Sequence, residues 1–204
     1  MTSQTWWYIA RSGGIVAWAL LALSVFWGLA LSSRFLGKKP KPNWMLDLHR
    51  FLGGLAVIFT AVHVLAIMAD SYVSFGIANV LVPFSGNYHP AAVAWGIVAM
   101  YLLLAVEVTS LLRKRLPKRV WRGIHFLSFP LFAFSTIHML YVGTDRSTPL
   151  LRITALLIVG GLLISTAVRI VQADSRDDSA AARPRIPAAA QARRGAASSP
   201  ENRD

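Results

Sequence analysis

Cysteine is absent from the 204-residue chain. That excludes disulfides, thiolate-held iron–sulfur clusters, covalent C-x-x-C-H heme attachment and a thiol nucleophile. Acid is scarce too, with 9 Asp and Glu against 21 Lys and Arg and a formal net charge of +12. Glu107 is the lone acid within the long apolar runs, so a di-metal carboxylate site, which needs several inward carboxylates, is excluded as well. No G-x-G-x-x-G follows a strand-like segment, so no FAD or NAD(P) domain is expected in this chain. What remains is apolar, 55% of residues hydrophobic and 15% charged, with a mean hydropathy of +0.50. A water-soluble enzyme core is ruled out.

Five stretches, about 12–33, 48–69, 91–112, 121–142 and 150–171, are each roughly 22 residues long. At a rise of about 1.5 Å they reach about 33 Å, enough to cross a bilayer with slight tilt. The expected fold is therefore all-α, an integral membrane bundle of five transmembrane helices. The first run is too long, and its leading segment too poor in Lys and Arg, for a cleaved signal peptide. Residues 1–11 are expected as a short outer N-terminus. The basic residues lie in short connections, where membrane topology places them, so the expected partner is the lipid bilayer and not nucleic acid.

The connection from Arg34 to Arg50 carries Arg34, Lys38, Lys39, Lys41 and Arg50 against Asp47 alone, and that from Arg113 to Arg122 carries six cations and no acid. Both are expected on the cytoplasmic side. Between Asp70 and Pro90 there is no Lys or Arg, and the 143–149 link has only Arg146 beside Asp145. These face the other side, which gives N-terminus out and C-terminus in. Trp6, Trp7, Tyr8, Tyr72, Tyr88 and Tyr141 then fall at the outer boundary, and Trp44 and Trp121 at the inner one. The segment from Asp70 to Pro90 is too short in its apolar part to span and reads as an interfacial lid. From residue 172 onward the chain turns to Ala, Arg, Pro and Ser, and 172–204 reads as a disordered cytoplasmic tail.

Four of the five histidines lie within spans, His49 and His63 on the second, His125 and His138 on the fourth. An imidazole in hydrocarbon is costly without a partner, so each is a functional hypothesis. The pairs are separated by 14 and 13 residues, about 21 Å and about 20 Å along a helix. Both spans run from inside to outside, which places His49 with His125 at an inner level and His63 with His138 at an outer one. One metal ion with bonds of ~2 Å cannot gather all four. Two b-type hemes can be accommodated, each iron held by a neutral imidazole from either helix. The alternative is polar pairing between helices.

Fourteen residues return His63 to within about 40° of His49, but thirteen leave His138 about 140° from His125 on a straight helix. Pro130 lies between the latter two, and a bend there is expected to redirect one ring. Gly53, Gly54 and Gly123 are candidates for letting a flat macrocycle approach the backbone. Arg50 and Arg122 are candidate countercharges for the propionates of the inner heme, Arg146 or Arg152 for the outer. His89 in its outer loop reads as inert or as a metal or acceptor site, Glu107 as an ion-pair partner or proton relay.

Leu48-His49-Arg50 with His63, and Trp121-Arg122-Gly123-Ile124-His125 with His138, resemble the ferric reductase-like transmembrane domain. That family includes ferric reductases, NADPH oxidases and the membrane heme subunit of the bacterial methionine sulfoxide repair system. The resemblance covers about residues 48–171 within a heme domain expected over 12–171. It implies an inner b heme on His49 and His125 and an outer one on His63 and His138. Members have six spans with the histidines on the third and fifth, against the second and fourth of five here, and the larger members add flavin and NADPH domains.

The function expected is a membrane b-type cytochrome, carrying electrons from a cytoplasmic donor to an unknown outer-side acceptor as the heme subunit of a ferric reductase-like system. The donor expected is a cytoplasmic flavin reductase or quinol, and the location is the plasma (cytoplasmic) membrane, multi-pass, of a bacterium. The alternatives are a non-catalytic heme sensor or assembly subunit and a heme-free metal or proton transporter.

Overall fold

The structure, a computed structural model, describes residues 3–32, 42–71, 75–143 and 148–181. A segment with no water to bond its amides must close them internally, and an apolar run does so as a helix. Among the described residues every regular element is accordingly helical. They are α1 (Ser3–Ser32), α2 (Asn43–Ala69), α3 (Ile77–Leu81), α4 (Pro90–Leu111), α5 (Lys118–His125), α6 (Ser128–Val142) and α7 (Pro149–Ala181). Five stretches are long and apolar enough to cross a membrane: Gln4–Ser32, Asn43–Ala69, Pro90–Leu111, Lys118–Val142 and Pro149–Val171. The chain is a multi-pass membrane protein. It divides into two compact units, Met1–Thr166 with the bundle and Ala167–Asp204, whose described residues are the end of α7.

The boundaries depart from expectation where hydropathy is not what makes the helix. From Ser3 onward the expected outer segment 1–11 forms the first turns of α1. At 30 residues α1 is about 45 Å long, more than the ~30 Å hydrocarbon layer. Its polar first turns place the Arg11 guanidinium 5.0 Å over the Trp7 ring, a pairing suited to the headgroup layer. The second helix starts at Asn43, behind Pro42, and not at 48, so His49 sits within a formed turn. The last helix continues to Ala181 and takes in ten residues of the expected tail, an Ala-containing stretch able to continue a helix. Residues 182–204, 33–41 and Arg146 lie outside the described residues.

The fourth span is interrupted between α5 and α6, at Phe126 and Leu127. Proline at 130 has no N–H for the Phe126 carbonyl, and its ring crowds that same carbonyl one turn back. The Phe126 oxygen instead accepts from Phe129 at 3.2 Å, and the Ile124 oxygen from Leu127 at 2.9 Å, both tighter i→i+3 links. The helix is regular again once Leu131 bonds Leu127 at 2.9 Å.

The α1 helix packs along α2 and α4 along α6, with α1 also against α6. Their shared core holds Trp18, Leu21, Val25 and Leu29 of α1 against Leu131 and Phe132 of α6, joined by Ala155 and Leu162 of α7. The Trp18 indole stacks on Phe132 and donates its N–H to Thr136 Oγ1 at 2.9 Å, so the polar atom is paired inside the bundle. On the connection between α2 and α4, Asn79 of α3 accepts from the Gly76 N–H and donates to the Ser85 carbonyl, both at 3.0 Å. Phe84 and His89 close this segment with positive φ of 66° and 40°.

Candidate cofactor site

Each helix of the histidine-bearing pair delivers one ring to each of two levels. His49 of α2 meets His125, the last residue of α5, with ring centroids 6.0 Å apart and planes at 78°. Fourteen residues further along α2, His63 meets His138 of α6 at 6.3 Å and 81°. The break at Phe126–Leu127 is what lets two histidines thirteen apart both turn toward α2, since an unbroken helix sets them about 140° apart.

The outer nitrogen of every ring is engaged. His63 Nδ1 donates to the Ala10 carbonyl at 2.6 Å and His138 Nδ1 to the Ala92 carbonyl at 2.9 Å. His49 Nδ1 lies 3.1 Å from the Ser24 carbonyl and 3.3 Å from its hydroxyl, and His125 Nδ1 lies 3.5 Å from Ser110 Oγ. A carbonyl only accepts, so in the first three rings the proton is on Nδ1 and the lone pair on Nε2. Such bonds fix the tautomer and orientation of a metal-binding imidazole.

A glycine stands four residues after each of those three carbonyls: Gly14 after Ala10, Gly28 after Ser24 and Gly96 after Ala92. A Cβ at Gly14 would lie 2.9 Å from His63 Nδ1, at Gly28 3.2 Å from His49 Cε1, and at Gly96 2.5 Å from His138 Nδ1. In a helix the side chain at i+4 overhangs the carbonyl of residue i. With hydrogen there, the carbonyl keeps its helical bond and offers its second lone pair to the imidazole. At His125 the matching place is taken by Ser110, whose hydroxyl meets the ring. Sequence reasoning passed over all four residues, although Gly14 and Gly28 repeat the 14-residue interval of His49 and His63 on the antiparallel neighbour.

Two imidazoles bonded from opposite sides to one metal, at about 2 Å each, have ring centroids about 6 Å apart, as both pairs here do. Among the described residues no cluster of three or more His, Asp or Glu gathers at any point. Two protein ligands per level suit a metal that brings its own equatorial ligands. A cavity of about 330 Å³ lies at the His63–His138 pair, and its lining includes Gly14, Gly96, Trp18 and Leu131 together with Arg11 and Tyr88. Its mostly apolar lining fits the body of a macrocycle.

The remaining candidates are placed as follows. Arg50 is exposed and bonded to Asp47 at 3.3 Å, and Arg122 and Arg152 are exposed. Gly53 makes room for the Glu107 side chain, joining α2 to α4, while nothing lies within 4 Å of a Cβ at Gly54 or Gly123. Gly14, Gly28 and Gly96 give clearance of another kind, to the imidazole rings themselves. His89 is the N-cap residue just before α4, edge-on against Tyr88 and outside the cavity lining. Arg11 lies in the lining of the cavity at His63 and His138, and Arg113 over the Trp121 ring beside His125, neither arginine having been singled out as a site residue.

No curated protein and no solved structure matches the chain. Residues 13–136, well over half of it, match the family described as ferric reductase like transmembrane component, whose domains are linked to heme binding. The chain belongs to the ferric reductase-like transmembrane family.

Proposed function

We propose that this family member is a membrane b-type cytochrome in which His49 and His125 hold the iron of an inner heme and His63 and His138 that of an outer one. It carries electrons across the plasma membrane of a bacterium, from a cytoplasmic flavin reductase or quinol to an acceptor on the outer side, as the heme subunit of a ferric reductase-like system. The observation that supports this is the pair of facing imidazole couples, 6.0 Å and 6.3 Å apart, with every outer nitrogen engaged. When bound, each heme supplies a one-electron couple.

The chain's own residues do three things for it. The Nδ1 bonds to Ala10, Ser24 and Ala92 hold Nε2 as the free lone pair, which raises the ring's basicity as a ligand. The apolar core from Trp18 to Leu131 keeps water from the space between the levels. The basic turn Arg113-Lys114-Arg115 gives a partner with acidic patches a docking surface, and positive-inside asymmetry puts it on the cytoplasmic side.

The test is a pyridine hemochrome assay with reduced-minus-oxidised spectra of the detergent-purified chain. The expected result is two hemes per chain, falling to about one in His63→Ala. A colourless protein produced with ample heme sinks the proposal.

A further inference from the structure

At the C-terminal end of α4, Ser110 and, two residues past the helix, Arg113 meet two residues of α5. Ser110 Oγ lies 3.5 Å from His125 Nδ1, and the Arg113 guanidinium carbon lies 4.8 Å from the Trp121 ring centroid. Trp121 and His125, four apart on one helix face, stack with centroids 5.1 Å apart and planes at 23°. Guanidinium, indole and imidazole thus form a column that ends on a candidate iron ligand.

Within that column Trp121 Nε1 is buried and meets no acceptor, the sole such side-chain nitrogen or oxygen among the described residues. Buried donors are normally paired, and an indole N–H only donates, so an acceptor belongs here. Arg113 adds positive charge, and among the described residues its guanidinium bonds no carboxylate. An acceptor that carries negative charge suits both groups. A dissolved anion reaches exposed Arg113 but not a nitrogen shut off from solvent. A carboxylate carried on a group held by His125 would approach the column from the imidazole side.

We propose that the Trp121 indole N–H and the Arg113 guanidinium bind a propionate of the inner heme, the role expected from the sequence of Arg50 and Arg122. This rests on the two-heme reading above, and the experiment separates the two.

Trp121→Phe keeps a ring to stack and removes the donor; Arg113→Gln, at an exposed position, removes the charge. The full chain is purified into neutral phosphatidylcholine nanodiscs for redox titration and resonance Raman spectroscopy. In both variants the inner heme becomes harder to reduce by about tenfold in its one-electron equilibrium, 59 mV, with the outer heme unchanged. The propionate-bending band of the inner heme also shifts in Trp121→Phe. A two-heme wild type whose inner potential and band are the same in both variants overturns the proposal. So does an effect present only when anionic lipid is added, since the anion is then a headgroup. A heme-free wild type instead defeats the functional reading on which this one stands.

Discussion

Hydrogen in place of a methyl group decides whether an imidazole can lie against a neighbouring helix. At Gly96 an added Cβ comes within 2.5 Å of His138 Nδ1, so the ring must move and its 2.9 Å bond to the Ala92 carbonyl is lost. At Gly28 the nearest approach is 3.2 Å, to a ring carbon of His49, which a shift of a few tenths of an ångström relieves. Gly96→Ala is expected to weaken outer heme binding about 10- to 100-fold, as losing a ligand's supporting bond does, while Gly28→Ala keeps near-normal content. Hemochrome content and the low-spin EPR signals of the two variants check this, and equal losses would contradict it. The four histidines were legible because a polar ring in hydrocarbon demands a reason. Their supports were not. The acceptors are mostly backbone carbonyls, which leave no mark in the sequence, and glycine in a membrane helix reads equally well as ordinary packing.

Among the elements, the fourth span carries the decisive irregularity. A bend was foreseeable from Pro130 and from the mismatch of thirteen residues with helical period, but its position at Phe126–Leu127 follows from which carbonyl loses its donor. Pro130→Ala restores that donor and favours a continuous helix. Proline within a helix costs about 3 kcal/mol, so the variant is expected to melt no lower than wild type in its heme-free form. Its histidines then no longer share a face, and the outer heme is expected to be lost or to show altered EPR g-values. A variant with both hemes and wild-type spectra would mean that tertiary packing, and not proline, holds the break. The early start of α1 and the long α7 were illegible for a different reason. Turns that leave the hydrocarbon carry no hydropathy signal, and their helicity rests on propensity and on continuity with the buried part.

For the molecule as a whole, length and apolarity were enough to read five spans, and helix rise was enough to read two levels. Helix adjacency was less legible, because a membrane bundle is apolar outside as well as inside, with Leu156 and Leu157 of α7 71–72% exposed, and hydropathy cannot say which face meets a neighbour. The direction of the proposed electron flow depends on orientation, for which the cation asymmetry sets the expectation: the Arg113–Arg122 turn inside, the connection between α2 and α4 outside. The absence of native cysteine makes this directly measurable, since a single introduced thiol is the sole site for a maleimide. Asn87→Cys, in the exposed outer connection, is expected to react in intact cells with a membrane-impermeant maleimide. Lys114→Cys, in the basic turn, is expected to react only after the membrane is opened. The reverse pattern places His63 and His138 on the cytoplasmic side, and a cytoplasmic donor then meets the pair proposed here as the exit.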